Sequence, residues 1–72
     1  MAVVKVIELL SESEDSWEAA AQEAVNRAAQ TLRNIRSVYV KEFEAVVENN
    51  RVTRYRTNCK ITFALDEGSD VQ

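Results

Sequence analysis

Between Val52 and Leu65 the chain alternates strictly. Tyr55, Thr57, Cys59, Ile61, Phe63 and Leu65 take one face of an extended strand, while Arg54, Arg56, Asn58, Lys60 and Thr62 take the other. A strand of this kind buries one side and leaves the other for water or a partner. Its neighbour lies just upstream, where Ile35 to Val47 is rich in Val, Tyr, Phe and Ile. Glu48-Asn49-Asn50-Arg51 separates the two runs, and paired asparagines tolerate the left-handed backbone of a tight turn. A long antiparallel hairpin follows.

The apolar face of that hairpin needs a cover, and the preceding segment supplies one. Trp17, Ala20, Ala21, Ala24, Val25, Ala28 and Leu32 recur at steps of three and four, with Glu18, Gln22, Glu23, Asn26, Arg27, Gln30 and Arg33 opposite. This spacing predicts an amphipathic helix of about five turns. Its buried stripe is mostly alanine, so a sheet can approach closely. Upstream, Ser11-Glu12-Ser13-Glu14-Asp15-Ser16 is rich in helix N-cap formers, and both Ser11 to Glu14 and Asp15 to Glu18 fit a capping box. Before it, Val3 to Leu10 has the β-branched and aliphatic content of a first strand. The expected class is α+β, a β-α-β-β protomer with one antiparallel three-stranded sheet folded over one helix. Residues 1–66 form a single domain, and 67–72, with the lone glycine Gly68, are expected to fray.

What the chain lacks narrows its chemistry. It has no histidine, one cysteine (Cys59), one glycine and no proline. Histidine is the commonest general base and the usual neutral metal ligand, so triads and zinc sites are excluded. One cysteine allows no intrachain disulfide, which suits a reducing, cytoplasmic setting. No glycine-rich phosphate loop exists. Lys+Arg 9 against Asp+Glu 12 gives a net charge of −3, unlike the basic excess of a nucleic-acid binder. No apolar run approaches the ~18 residues of a membrane span.

Size adds the strongest constraint on assembly. Below roughly 70–80 residues a core seldom contributes more than ~3–5 kcal/mol net, and small domains compensate with disulfides, metals or oligomers. This chain has 72 residues, 46% of them hydrophobic, and no disulfide. Burial against copies of itself is the remaining route. The second strand agrees, because alternation puts Val38, Val40 and Val46 on one face and Ile35, Tyr39, Phe43 and Val47 on the other. Two apolar faces require two burial partners.

Several stretches together resemble the dodecin family: Lys5-Val6-Ile7-Glu8, Ser16-Trp17-Glu18-Ala19-Ala20, Arg27-Ala28 with Thr31-Leu32, Tyr39-Val40-Lys41-Glu42, and Tyr55-Arg56-Thr57 with Ile61 to Leu65. The likeness spans about residues 3 to 66. It implies a protomer that assembles into a hollow homododecamer. It also implies non-catalytic binding and storage of flavins such as riboflavin, FMN or lumichrome between subunits.

Two departures bear on that pocket. Flavin-binding members place a tryptophan near the start of the second strand, where Ser37 stands here, and a hydroxymethyl group offers no ring to stack on. They use a glutamine on the third strand to bond the polar edge of the flavin, at the position of Arg56, whose guanidinium donates but cannot accept. Both changes weaken the site for a neutral flavin. Tyr39 and Phe43 share the strand face of Ser37 by spacing, so Ser37, Tyr39, Phe43 and Arg56 are the candidate lining of an inter-subunit pocket for a small planar or anionic ligand. Trp17, at the helix start, is expected to pack rather than stack on ligand.

The alternative is a flavin-free shell held by ion pairs between subunits, Arg56 among them, or by a divalent cation such as Ca²⁺ or Mg²⁺ gathered at a symmetry axis. Arg36, Glu42 and Glu44 are the candidate contacts, and no spacing specifies a metal site. A shell with no cofactor is equally open. Cys59, among Ile61 and Phe63, reads as a small buried hydrophobe. No pair of groups is placed for acid–base work, and the expected protein is not an enzyme.

Overall fold

The computed structural model describes residues 3–65. The expected fraying after residue 66 falls outside them. Within them the order is β1 (Val4–Ser13), α1 (Trp17–Ala28), β2 (Ile35–Glu48) and β3 (Arg51–Ala64), the β-α-β-β arrangement expected. β3 is central, antiparallel to β1 on one side and to β2 on the other. Asn49 and Asn50 close the hairpin with φ of 54° and 62°, the paired left-handed residues of a type I′ turn.

Three boundaries differ from the sequence reading, each for a local reason. β1 runs on to Ser13, so Ser11 and Glu12 pair with Thr57 and Arg56 instead of starting the helix. Ser16 is the N-cap, its Oγ accepting from the Ala19 N–H at 2.9 Å, while Ser13 Oγ accepts from the Asp15 N–H. The helix ends at Ala28, well short of five turns. There the Gln30 and Thr31 N–H groups donate to the carbonyls of Arg27 and Ala28, tightening the last turn, and Asn34 at φ 62° redirects the chain into β2. Leu32 still packs on the core from this turn.

The core lies between helix and sheet. Ala20, Ala24 and Ala28 meet Thr57, Cys59, Ile61 and Phe63, and all seven are buried. The small alanine stripe permits that approach, as expected. The Thr57 hydroxyl and Cys59 sulfur lie 3.3 Å apart and pair with each other. Trp17 seals the helix start. Its ring meets Phe43 and Tyr55 edge-on at 5.7 and 5.0 Å, and its Nε1 donates to the Glu44 carbonyl at 3.2 Å.

β2 departs from simple alternation. Register shifts fall between Ile35 and Ser37, between Val40 and Glu42, and near Val46. A bulge inserts one unpaired residue and so moves every later side chain to the other face. Ile35, opposite Phe63, therefore joins Val38 and Val40 on the helix side. Phe43, opposite Thr57, is also on the helix side, and Val46, opposite Arg54, is on the outer side. The expected grouping of Ile35 and Phe43 with Tyr39 is thereby corrected, as is that of Val46 with Val38 and Val40.

Candidate functional site

The register fixes what the outer face of the sheet carries. β1 contributes Val4, Val6, Glu8, Leu10 and Glu12; these lie opposite Ala64, Thr62, Lys60, Asn58 and Arg56 of β3. β2 contributes Ser37 opposite Thr62, Tyr39 opposite Lys60, Glu42 opposite Asn58 and Glu44 opposite Arg56. Lys41, the bulged residue, also points this way, its Nζ 3.4 Å from Glu8 Oε2. Leu10 is 71% exposed and Tyr39 63%. Large apolar groups thus stand open beside a dense set of charges.

The charges are ordered across all three strands. Arg56 holds Glu12 of β1 at 2.7 Å through one terminal nitrogen and at 2.8 Å through Nε, a two-pronged contact, and reaches Glu44 of β2 at 3.3 Å. Arg54 extends the chain of pairs to Glu12 at 3.6 Å and to Glu48 at 3.3 Å. The hydrogen bond that Arg56 donates to Glu12, then the charge of that carboxylate, raises the Arg56 pKa above its ordinary value. Arg56 pairs within its own chain, with Glu12 and Glu44, whereas the expectation was a carboxylate of another subunit. Glu12 escaped the sequence reading because Ser11 to Ser16 looked like a helix cap. The alternation Val4, Val6, Glu8, Leu10, Glu12, carried two residues further, is the signal that places it.

A cleft of about 470 Å³ opens on this face between β1 and β2, lined chiefly by Leu10, Lys41, Glu42, Glu44, Arg56 and Asn58. Of the four expected pocket residues, Arg56 lies in it. Ser37 and Tyr39 are further along the same face. Phe43 borders the cleft, yet its ring is turned to Trp17 on the other side of the sheet. Of the expected ion-pair residues, Glu44 is engaged; Arg36 and Glu42 make no ion pair among the described residues. Among those residues no three acidic or thiol groups gather as a cation site. Beneath the cleft the Asn58 Oδ1 is closed to solvent and has no hydrogen-bond partner among the described residues. Cys59 is buried on the helix side, remote from this chemistry. No helix among the described residues is long and apolar enough to cross a membrane.

Comparison with known proteins agrees with this architecture. Residues 3–66 match the model of the dodecin family. The chain is 37% identical over 65 residues to a Mycobacterium tuberculosis protein named calcium dodecin, covering 90% of this chain and 92% of that one. It is likewise 37% identical over 65 residues to a dodecin of Thermus thermophilus, covering 90% and 94%. Among solved structures, a variant of the Thermus dodecin superposes with a TM-score of 0.87 at 37% identity, over 94% of this chain and 100% of that chain. The Mycobacterium protein, described as calcium chelating and as having a calcium-binding site, superposes with a TM-score of 0.78 at 33% identity, over 96% and 99%. Superposition on solved dodecins and a family match over nearly the whole chain coincide, and the chain belongs to the dodecin family.

Proposed function

We propose that this chain is a non-enzymatic binding and storage protein that assembles into a hollow homododecamer in the cytoplasm, with the outer-face cleft contributing to pockets between subunits for a flavin-type ring. The observation that carries this reading is the open apolar side of the sheet. Leu10, Tyr39, Val4 and Val6 are all at least half exposed. Copies of the chain covering that face would bury what the helix cannot reach, at roughly 25 cal/mol per Å² of apolar surface removed from water.

The pocket residues suit a flavin imperfectly. Ser37 supplies no ring, leaving Tyr39 as the aromatic of this face. Arg56 is turned to Glu12 and Glu44, so two of the groups that would meet a ligand are already paired. Any flavin bound here would be held by apolar contact and hydrogen bonds more than by stacking, and when bound it would supply light absorption and redox capacity that no side chain has. The Arg56 pairs also favour a second reading, a flavin-free shell in which they serve as structure. A cation would require carboxylates from several copies, Glu42 being the unpaired one in the cleft.

A native mass spectrum of untreated protein, followed by riboflavin titration, tests both. A particle of about twelve copies that quenches riboflavin emission weakly, and two- to tenfold more tightly once Ser37→Trp restores ~0.5–1.5 kcal/mol of ring stacking, is the expected result. A folded 8.2 kDa monomer would overturn the shell. A large particle indifferent to riboflavin in both forms leaves the flavin-free reading in place.

A further inference from the structure

We propose that the free edge of β1 beside α1 is a docking groove for an extended peptide segment of another protein, and that Glu23 and Arg27 read a basic and an acidic side chain placed two residues apart on it. This surface is separate from the outer-face cleft and goes beyond the storage reading. A second cleft, of about 300 Å³, is lined by the consecutive β1 residues Leu9 to Glu12 and by Glu23, Ala24 and Arg27 of the helix. Successive strand residues point to opposite faces, so a cleft that touches four in a row wraps the edge of the strand.

The edge itself is open. β1 pairs with β3 on one side and has no neighbouring strand on the other among the described residues. The Leu65 N–H donates to the Val3 carbonyl, and the register from Val4 to Ser13 is unbroken. In an antiparallel ladder the backbone groups of alternate residues turn toward and away from the partner strand. Val4, Val6, Glu8, Leu10 and Glu12 therefore turn their N–H and C=O groups to the free edge. β2, the opposite edge of the sheet, is broken by three register shifts, a device that blunts strand addition. β1 carries none.

The helix sets what the groove reads. Ala21 and Val25 pack on the core from one flank, whereas Glu23 and Arg27 border the β1 edge from the other. These two stand one turn apart, yet neither makes an ion pair among the described residues. Side chains one helical turn apart lie about 6 Å from each other, and those on one face of a strand repeat every ~6.6 Å, so the two spacings match. Only residues 14–16 join β1 to α1, so the helix runs back along the strand, with Glu23 nearer Ser11 and Arg27 nearer Leu9. A strand added antiparallel to β1 meets Glu23 first and Arg27 second, and its complement is Lys-x-Glu. A second copy fits poorly: its β1, paired antiparallel, would bring its own α1 to the side where Glu23 and Arg27 stand, and its β2 edge is bulged.

The test is fluorescence anisotropy of two dye-labelled, end-capped peptides of one composition on the intact assembly, Thr-Val-Lys-Thr-Glu-Val-Thr and Thr-Val-Glu-Thr-Lys-Val-Thr. The Lys-first peptide should bind at least about fivefold more tightly, as two exposed ion pairs replace two like-charge contacts. The exchange Glu23→Arg with Arg27→Glu, at two exposed positions, should reverse that preference. Equal affinities, a preference that survives the exchange, or no binding of either peptide would each overturn the proposal. So would a peptide that breaks the particle into smaller species, because a neighbouring copy would then hold the edge. None of these outcomes bears on flavin binding, which riboflavin quenching reads separately.

Discussion

On the helix side of the sheet, Cys59 and Ile61 have no exposed surface and Phe63 keeps 8%; on the other side, Leu10 keeps 71% and Tyr39 63%. The same three strands supply both faces, so the difference comes from their cover. A single helix with an alanine stripe lies close but reaches only the part of β3 from Tyr55 to Phe63. The inner face is covered within the protomer, and the outer face, apolar patches and ion pairs together, is left uncovered in the single chain.

The sharpest way to break that contrast is a pair of substitutions, one per face. Ile61→Ala removes a fully buried side chain from the centre of the inner face. A cavity of this kind costs about 2–5 kcal/mol, as much as a core of this size supplies on its own. Urea unfolding should show the loss, and a change below about 1 kcal/mol would mean that contacts between copies, not the helix-covered core, hold the protomer.

Leu10→Asp is the counterpart on the outer face. An exposed site away from packing ordinarily tolerates substitution within about 0.5 kcal/mol, so a single chain should scarcely notice it. In an assembly that buries Leu10 the aspartate would be desolvated without a partner, and sedimentation should show the large particle giving way to small species. An intact particle would remove Leu10 from any interface and confine assembly to other surfaces.

How far the sequence revealed each face follows from the same physics. β3 was legible almost residue by residue, because strict alternation from Tyr55 to Ala64 has only one reading and its register with β1 is unbroken there. The Asn49-Asn50 turn was legible for the same reason, its two residues having few other uses. β2 was not, since its bulges leave no composition signal and each one exchanges the faces beyond it; Phe43, two residues past Lys41, was carried to the wrong side in this way. The helix end was overestimated because Leu32 keeps the helical period although it reaches the core from a turn. At the site, Arg56 was visible through resemblance, but Glu12 lay hidden in a serine-rich stretch that also suits a cap, and the orphaned Asn58 oxygen is a property of three strands in register that no single segment encodes.

The smallest expected effect concerns the acid limit of the outer face. Glu8 faces the Asn58 amide, Lys41 and Lys60, and these hold its pKa below the ordinary value of 4.5, the amide contributing most and Lys41 next. A carboxylate whose folded pKa is depressed adds stability above its unfolded pKa and loses it as pH falls through the lower, folded one. The contribution is thus complete at neutral pH and fades only in acid, below 4.5. Glu8→Gln should flatten this part of the acid limb of a stability–pH curve and leave the neutral plateau slightly lower. Salt separates the causes: at about 1 M the Debye length shrinks to about 3 Å and the lysine share is screened, whereas a hydrogen bond from a neutral amide is not. Part of the effect should therefore survive high salt. If it vanishes altogether, the lysines rather than Asn58 govern Glu8.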